Sequence, residues 1–163
     1  MILTLSTDSR TALADPDTVK VLAGIDANGF PHVAFKDSLR IRPDGYLEYD
    51  EIIESSDMNK VFVNAVWFGR TVSVLLLTGA RRSFLIKGSV YRAIIAGWEF
   101  KERYLTARKR LGDVDLSTSW VIEPTFERED TLEKRRIEEE ERHPLLRHVD
   151  RLLHTRNTEN HAE

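Results

Sequence analysis

The chain contains no cysteine, which excludes disulfides, thiol nucleophiles and thiolate metal sites. Any redox chemistry must therefore come from a bound cofactor. No apolar run approaches the roughly 20 residues that span a bilayer, and the N-terminus lacks the basic-then-apolar layout of a secretory signal. The expected location is the cytoplasm, with no membrane partner. A phosphate-loop signature, GxGxxG, HExxH and GxSxG are all missing, which removes support for the usual nucleotide-binding and hydrolase classes. Neither sign of charge dominates: 24 Lys and Arg against 27 Asp and Glu give a net charge of −3. That balance argues against nucleic acid, whose phosphates are bound by clustered cations. Four of the five histidines lie in the last 21 residues. His143 and His148 are separated by a proline and would leave one helix in different directions, so no metal site is expected.

What remains is an ordinary composition, 41% hydrophobic and 31% charged over 163 residues, enough for one domain with its own core. The chain is organised around residues 18–36. Val19, Val21, Ala23 and Ile25 alternate with Lys20, Leu22 and Gly24, the period of a strand, and both faces are nearly apolar. Asn28-Gly29 offers the positive φ of a tight reversal, and residues 31–35 return. Such a hairpin cannot bury both faces alone, so further strands must close around it.

The rest of the chain supplies them. Thr7, Asp8 or Ser9 caps a short helix that Asp15-Pro16 ends. A second hairpin joins residues 38–41 and 46–49 through Pro43-Asp44-Gly45. Ser55, Ser56 or Asp57 caps a helix with Met58, Phe62 and Ala65 at helical spacing, expected to lie across one barrel end. Residues 71–78 read as a strand covered on both sides. Residues 83–92 read as another strand, interrupted by Gly88 as at a bulge. Residues 97–111 are helical, with Phe100, Tyr104, Ala107 and Leu111 in one stripe and Gly112 as terminator. A last strand runs over residues 120–126, where Pro124 ends regular pairing or marks an edge. The fold class is mainly β with α additions: a small six-stranded barrel.

From Glu127 the composition turns highly charged. Asp130 and Glu133 form a capping box for a charged helix over residues 132–142, read as a solvated face. Leu145, Leu146, Val149, Leu152 and Leu153 then make an apolar stripe that must dock on this chain's barrel or on a second subunit. The organisation is a barrel over residues 1–126, a helical extension over 127–154 and a disordered tail over 155–163.

Two cations stand beside element ends. Lys60 lies in the first turn of the residue-56 helix, where its ammonium and the free backbone N–H groups favour an anion such as a phosphate. Lys36 follows the second strand, beside Asp37 and Ser38. Both are equally readable as plain surface lysines. Trp67, Trp98 and Trp120 are either core residues or covers for a bound ring. No residue stands out as a general acid or base.

Taken in order, Val21-Leu22-Ala23-Gly24-Ile25, Asn28-Gly29-Phe30-Pro31-His32-Val33, Met58-Asn59-Lys60 with Asn64, and Phe84-Leu85-Ile86-Lys87-Gly88-Ser89 resemble the pyridoxamine 5'-phosphate oxidase-like, FMN-binding split-barrel superfamily. The likeness is greatest to its small FMN-binding members and covers residues 18–126. It implies a six-stranded split β-barrel that forms a homodimer, with FMN in the groove between subunits. It implies phosphate contacts from Lys36, Ser38, Asn59 and Lys60, with Met58 in the same helical turn. Backbone near Phe35, Asp37, Tyr49 and Asp50 would run along the flavin. The function implied is an FMN-dependent oxidoreductase or electron-transfer protein whose small-molecule substrate or electron donor the residues do not name. Pro31-His32 stands where pyridoxamine phosphate oxidases carry an arginine, so pyridoxal phosphate synthesis is not implied. Asp37 sets a negative charge near the phosphate position and weakens binding there. The alternative is a non-catalytic split-barrel module that takes haem or another ligand, or a protein partner through the C-terminal helices.

Overall fold

The computed structural model describes residues 3–143. The expected C-terminal apolar stripe and tail lie outside them. Two compact units divide between Glu129 and Asp130. The first carries three helices, α1 (Thr7–Ala14), α2 (Asp57–Phe68) and α3 (Gly97–Leu111). Its strands are β1 (Val19–Ile25), β2 (Pro31–Phe35), β3 (Arg40–Ile41), β4 (Leu47–Glu51), β5 (Thr71–Leu77), β6 (Ser83–Ile94) and β7 (Thr118–Glu129). The second unit carries α4 (Leu132–Arg142).

The seven strands form one antiparallel sheet in the order β2-β1-β5-β6-β7-β4-β3. The count exceeds the expected six, and the second hairpin forms as expected, the two-residue β3 pairing with β4, Arg40 opposite Glu48 and Ile41 opposite Leu47. The edge strands β2 and β3 are consecutive in the chain, joined only by residues 36–39. Laid flat, seven strands at about 4.8 Å spacing would separate their edges by about 29 Å. The connection spans at most about 18 Å when fully extended. The sheet must curl until its edges nearly meet, which makes a barrel split along one seam. Ser38 fastens the seam, its hydroxyl donating to the Asp50 carbonyl at 3.2 Å and accepting from the Asp50 amide at 3.0 Å.

Both hairpins reverse through the same device. At the first, the Asp26 amide donates to the Phe30 carbonyl, the Asp26 carboxylate accepts from the Asn28 and Phe30 amides, and Gly29 sits at φ 87°. Only the glycine of the Asn-Gly pair adopts positive φ, so the loop is longer than a two-residue reversal. The bulge expected at Gly88 is present, as a register shift between Lys87 and Gly88 opposite Phe126 and Pro124. β7 therefore passes Pro124 and continues to Glu129.

α2 plugs the barrel. The Ser56 hydroxyl caps it by accepting from the Asn59 amide, Gly69 ends it at φ 60°, and Met58, Val61, Phe62 and Ala65 are buried. Gly24 of β1 lies directly beneath Val61, and any side chain there would collide with it. Phe62 packs edge-on against Tyr49 at 5.0 Å between ring centroids and against Trp120 at 5.5 Å, which ties α2 to β4 and β7.

In the second unit, α4 starts from Thr131 rather than the expected Asp130, with no side-chain cap on its first turn. None of its residues is buried, as a solvated charged helix requires. Arg135 bonds Glu138 at 2.6 Å and approaches Asp130 at 3.4 Å.

Candidate functional site

The sequence-derived site residues gather at the seam of the barrel and the start of α2. Lys36 leaves the end of β2 and turns back over the Tyr49 ring, 5.2 Å from its centroid, to bond Glu51 at 2.7 Å. Lys36 is mostly buried and Glu51 almost wholly so. On α2, Lys60 is exposed and bonds Asp57 at 2.9 Å. The Lys60 ammonium lowers the Asp57 carboxyl below its ordinary value, with a smaller contribution from His32 on β2. The start of α2 therefore lies beside β2, close to the strand from which Lys36 emerges.

The other residues divide by what their side chains do. Asn59 donates to the Glu54 carbonyl and accepts from the Trp120 indole, both at 2.8 Å, so its amide is already engaged. Met58 and Tyr49 are core residues. The Tyr49 hydroxyl has no hydrogen-bond partner among the described residues, and burial, then Glu51, pushes its pKa far up. Ser38 closes the seam, and Asp50 accepts from Ser119 at 2.6 Å and from Arg40. Asp37 and Phe35 are exposed, Phe35 at 73%. Trp120 is core, whereas Trp67 and Trp98 stand out in solvent.

Phe35 belongs to a larger feature. β1 buries Lys20, Leu22 and Gly24 and turns Val19, Val21, Ala23 and Ile25 outward. The register sets Val21 opposite Phe35 and Leu75, Ala23 opposite Val33 and Ser73, and Val19 opposite Leu77. The outer face of β2-β1-β5 is thus apolar and uncovered among the described residues, with Phe35 and Val33 its most exposed members. Soluble chains rarely leave such a surface open.

Continuous with the seam through Arg40, which bonds both Asp50 and Glu48, lies a charge network that the sequence reading missed. Glu48, 2% exposed, receives Arg42 at 2.6 Å, Arg103 of α3 at 2.7 Å, and Arg40. Burial pushes the Glu48 carboxyl up, but Arg103, Arg40 and Arg42 outweigh it and hold it below the usual range. The network fastens α3 to β4 where the expected apolar stripe does so only in part, since Ala107 alone is buried on that helix. Glu48 lies on the face of β4 opposite Tyr49, and alternation within residues 46–49 could have placed it there; the arginines come from distant segments. Beside this network a cavity of about 630 Å³ runs between α1, residues 37–43, β4 and α3. Among the described residues no cluster of metal-binding side chains occurs, and no helix is long and apolar enough to cross a membrane.

No family model and no curated protein matches the chain in sequence. Solved structures do match it in fold. HupZ of Group A Streptococcus is 14% identical at a TM-score of 0.66, over 79% of this chain and 96% of that one. An FMN-binding protein of Syntrophomonas wolfei is 13% identical at 0.58, over 76% and 84%. HutZ, the haem storage protein of Vibrio cholerae, is 14% identical at 0.52, over 78% and 95%. With its seven-stranded antiparallel sheet curled and split along one seam, the chain has the fold of the pyridoxamine 5'-phosphate oxidase-like, FMN-binding split barrels.

Proposed function

We propose that the chain is a cytoplasmic FMN-binding flavoprotein, working as a homodimer whose subunits meet across the outer face of β2-β1-β5. The observation that carries the reading is this face: apolar, uncovered, and edged by Lys36 and by the α2 terminus that bears Lys60. A second copy would cover Phe35, Val33, Val21 and Leu75 and leave a groove along the edge of β2.

The residues at that edge fit a flavin phosphate. The first-turn amides of α2 and the Lys60 ammonium favour an anion, and Lys36 supplies a second cation at the end of β2. Each lysine now holds a carboxylate, Glu51 or Asp57, which a phosphate would have to displace. Asn59 acts as a positioning residue, because both ends of its amide are committed to Glu54 and Trp120. When bound, FMN supplies one- or two-electron transfer; the protein's part is to hold it, exclude water and shape access to it. Replacing Val33 with Asp tests the reading. The variant is expected to sediment as a monomer and to lose FMN binding with dimerisation. A variant that keeps both contradicts it.

A second reading, haem binding, is favoured by the fold shared with HutZ and by His32. That imidazole is half-buried on β2 and makes no hydrogen bond among the described residues, so it is available as an iron ligand. A Soret band that appears on adding haemin and disappears in His32→Ala would support it.

A further inference from the structure

Lys20 sits on the inward face of β1 and is 7% exposed. Among the described residues its ammonium makes one hydrogen bond, to the Leu39 carbonyl at 3.2 Å, and no ion pair. An ammonium has three donors, so two are left without a protein acceptor. Leaving a buried charge so poorly paired is costly unless something else meets it. Burial lowers its pKa, and Asp37 and Asp15 offset that only in part.

Lys20 lines the cavity of about 630 Å³ that runs along α3, a volume in the range of small-molecule pockets, roughly 300–1,000 Å³. Arg110, near enough to Lys20 to depress its pKa, lines the same cavity and has no ion-pair partner among the described residues. The last turn of α3 carries Arg108, Lys109 and Arg110, and among the described residues only Arg108 is paired, with Asp113. These cations more than offset the partial negative charge, about half a unit, of a helix C-terminus. Toward the other end of α3, Trp98 lies 70% exposed and lines the cavity with Pro43 and Ile41. Twelve residues of helix separate Trp98 from Arg110, about 18 Å. The cavity thus has a cationic end and an aromatic end. Of its lining carboxylates, Asp37 and Glu102 are exposed and in no ion pair among the described residues, whereas the Lys20 ammonium is buried.

We infer that this cavity is a binding site for a small organic anion, a carboxylate or phosphate monoester on a flat apolar body, with the head on Lys20 and Arg110 and the body extending along α3 toward Trp98. No residue of α2 lines it, so Lys60 lies outside it, while Asp37, Ser38 and Asp50, which the family resemblance sets along the flavin, line it.

The test titrates phenyl phosphate and 2-naphthoate separately into the full chain by calorimetry. The outcome distinguishes a phosphate head from a carboxylate head. At least one is expected to bind, with affinity reduced tenfold or more in Lys20→Met and several-fold in Arg110→Gln, and unchanged in Lys60→Ala. Arg110 is exposed, so its variant remains informative if Lys20→Met does not fold. Saturating probe should also slow acetylation of Lys20 in the wild-type chain at least fivefold, read by mass spectrometry, and leave Lys60 unaffected. Failure of both probes to bind, binding that survives both cation substitutions, or binding lost in Lys60→Ala overturns the inference.

Discussion

The Lys36 ammonium lies 2.7 Å from the Glu51 carboxylate, an ion pair nearly closed off from water at the seam of the barrel. The nearest cation to the flavin edge is thus already neutralised. Replacing Glu51 with Gln keeps an oxygen acceptor and removes the competing charge. FMN affinity is expected to rise about threefold to tenfold, which is ~0.7–1.4 kcal/mol. Unchanged or weaker affinity would mean that Lys36 does not meet the phosphate.

Asn59 joins α2 to β7 through the Trp120 indole. Truncation to Ala leaves that buried N–H without an acceptor, at a cost of about 1–3 kcal/mol. Urea unfolding should show the loss as a lower midpoint with unchanged slope. The FMN affinity of the folded variant should fall less than that of Lys60→Ala. The reverse order would return Asn59 to direct contact with the phosphate.

Tyr49 is 0% exposed and its hydroxyl has no partner. Phe in its place removes an unsatisfied group and keeps the ring against Phe62. The variant should be more stable than wild type by about 1 kcal/mol in urea. A loss of stability would show that the hydroxyl has a partner, an internal water being the obvious one.

Glu48 makes the barrel acid-sensitive. Its folded-state pKa is held below the ordinary 4.5 by the guanidiniums around it, so below about pH 4.5 the unfolded chain takes up this proton first. The stability from Glu48 is complete above that pH and drains away as the pH falls through the lower folded-state value. Glu48→Gln should cost about 3 kcal/mol at neutral pH, because three guanidiniums lose their shared counter-charge. It should also flatten the acid limb of Tm against pH. An acid limb of unchanged steepness contradicts the assignment.

Local signals in the sequence located the elements well. Ser56 as a cap, Gly112 as a terminator, Gly29 in its loop and the alternation from Val19 to Ile25 act within a few residues, so spacing alone exposes them. What escaped depends on distant segments meeting. Lys20 looks like a solvent-facing member of a two-faced strand until the seam closes over it. The Glu48 network needs arginines from positions 40, 42 and 103. Trp98 and Trp120 are distinguished only by whether another element covers them. At the candidate site, Lys36 and Lys60 were legible because cations beside element ends are a local feature. Their carboxylate partners differ in this respect: Asp57 lies within the same helical turn as Lys60, whereas Glu51 comes from a neighbouring strand.

The most direct test of the flavin account is the visible absorption spectrum of the purified chain, before and after adding FMN, compared with Lys60→Ala. The account predicts perturbed flavin bands saturating near one FMN per chain, with affinity at least tenfold weaker in the variant. A chain that leaves the spectrum of free FMN unaltered, or binds it equally well without Lys60, contradicts the account.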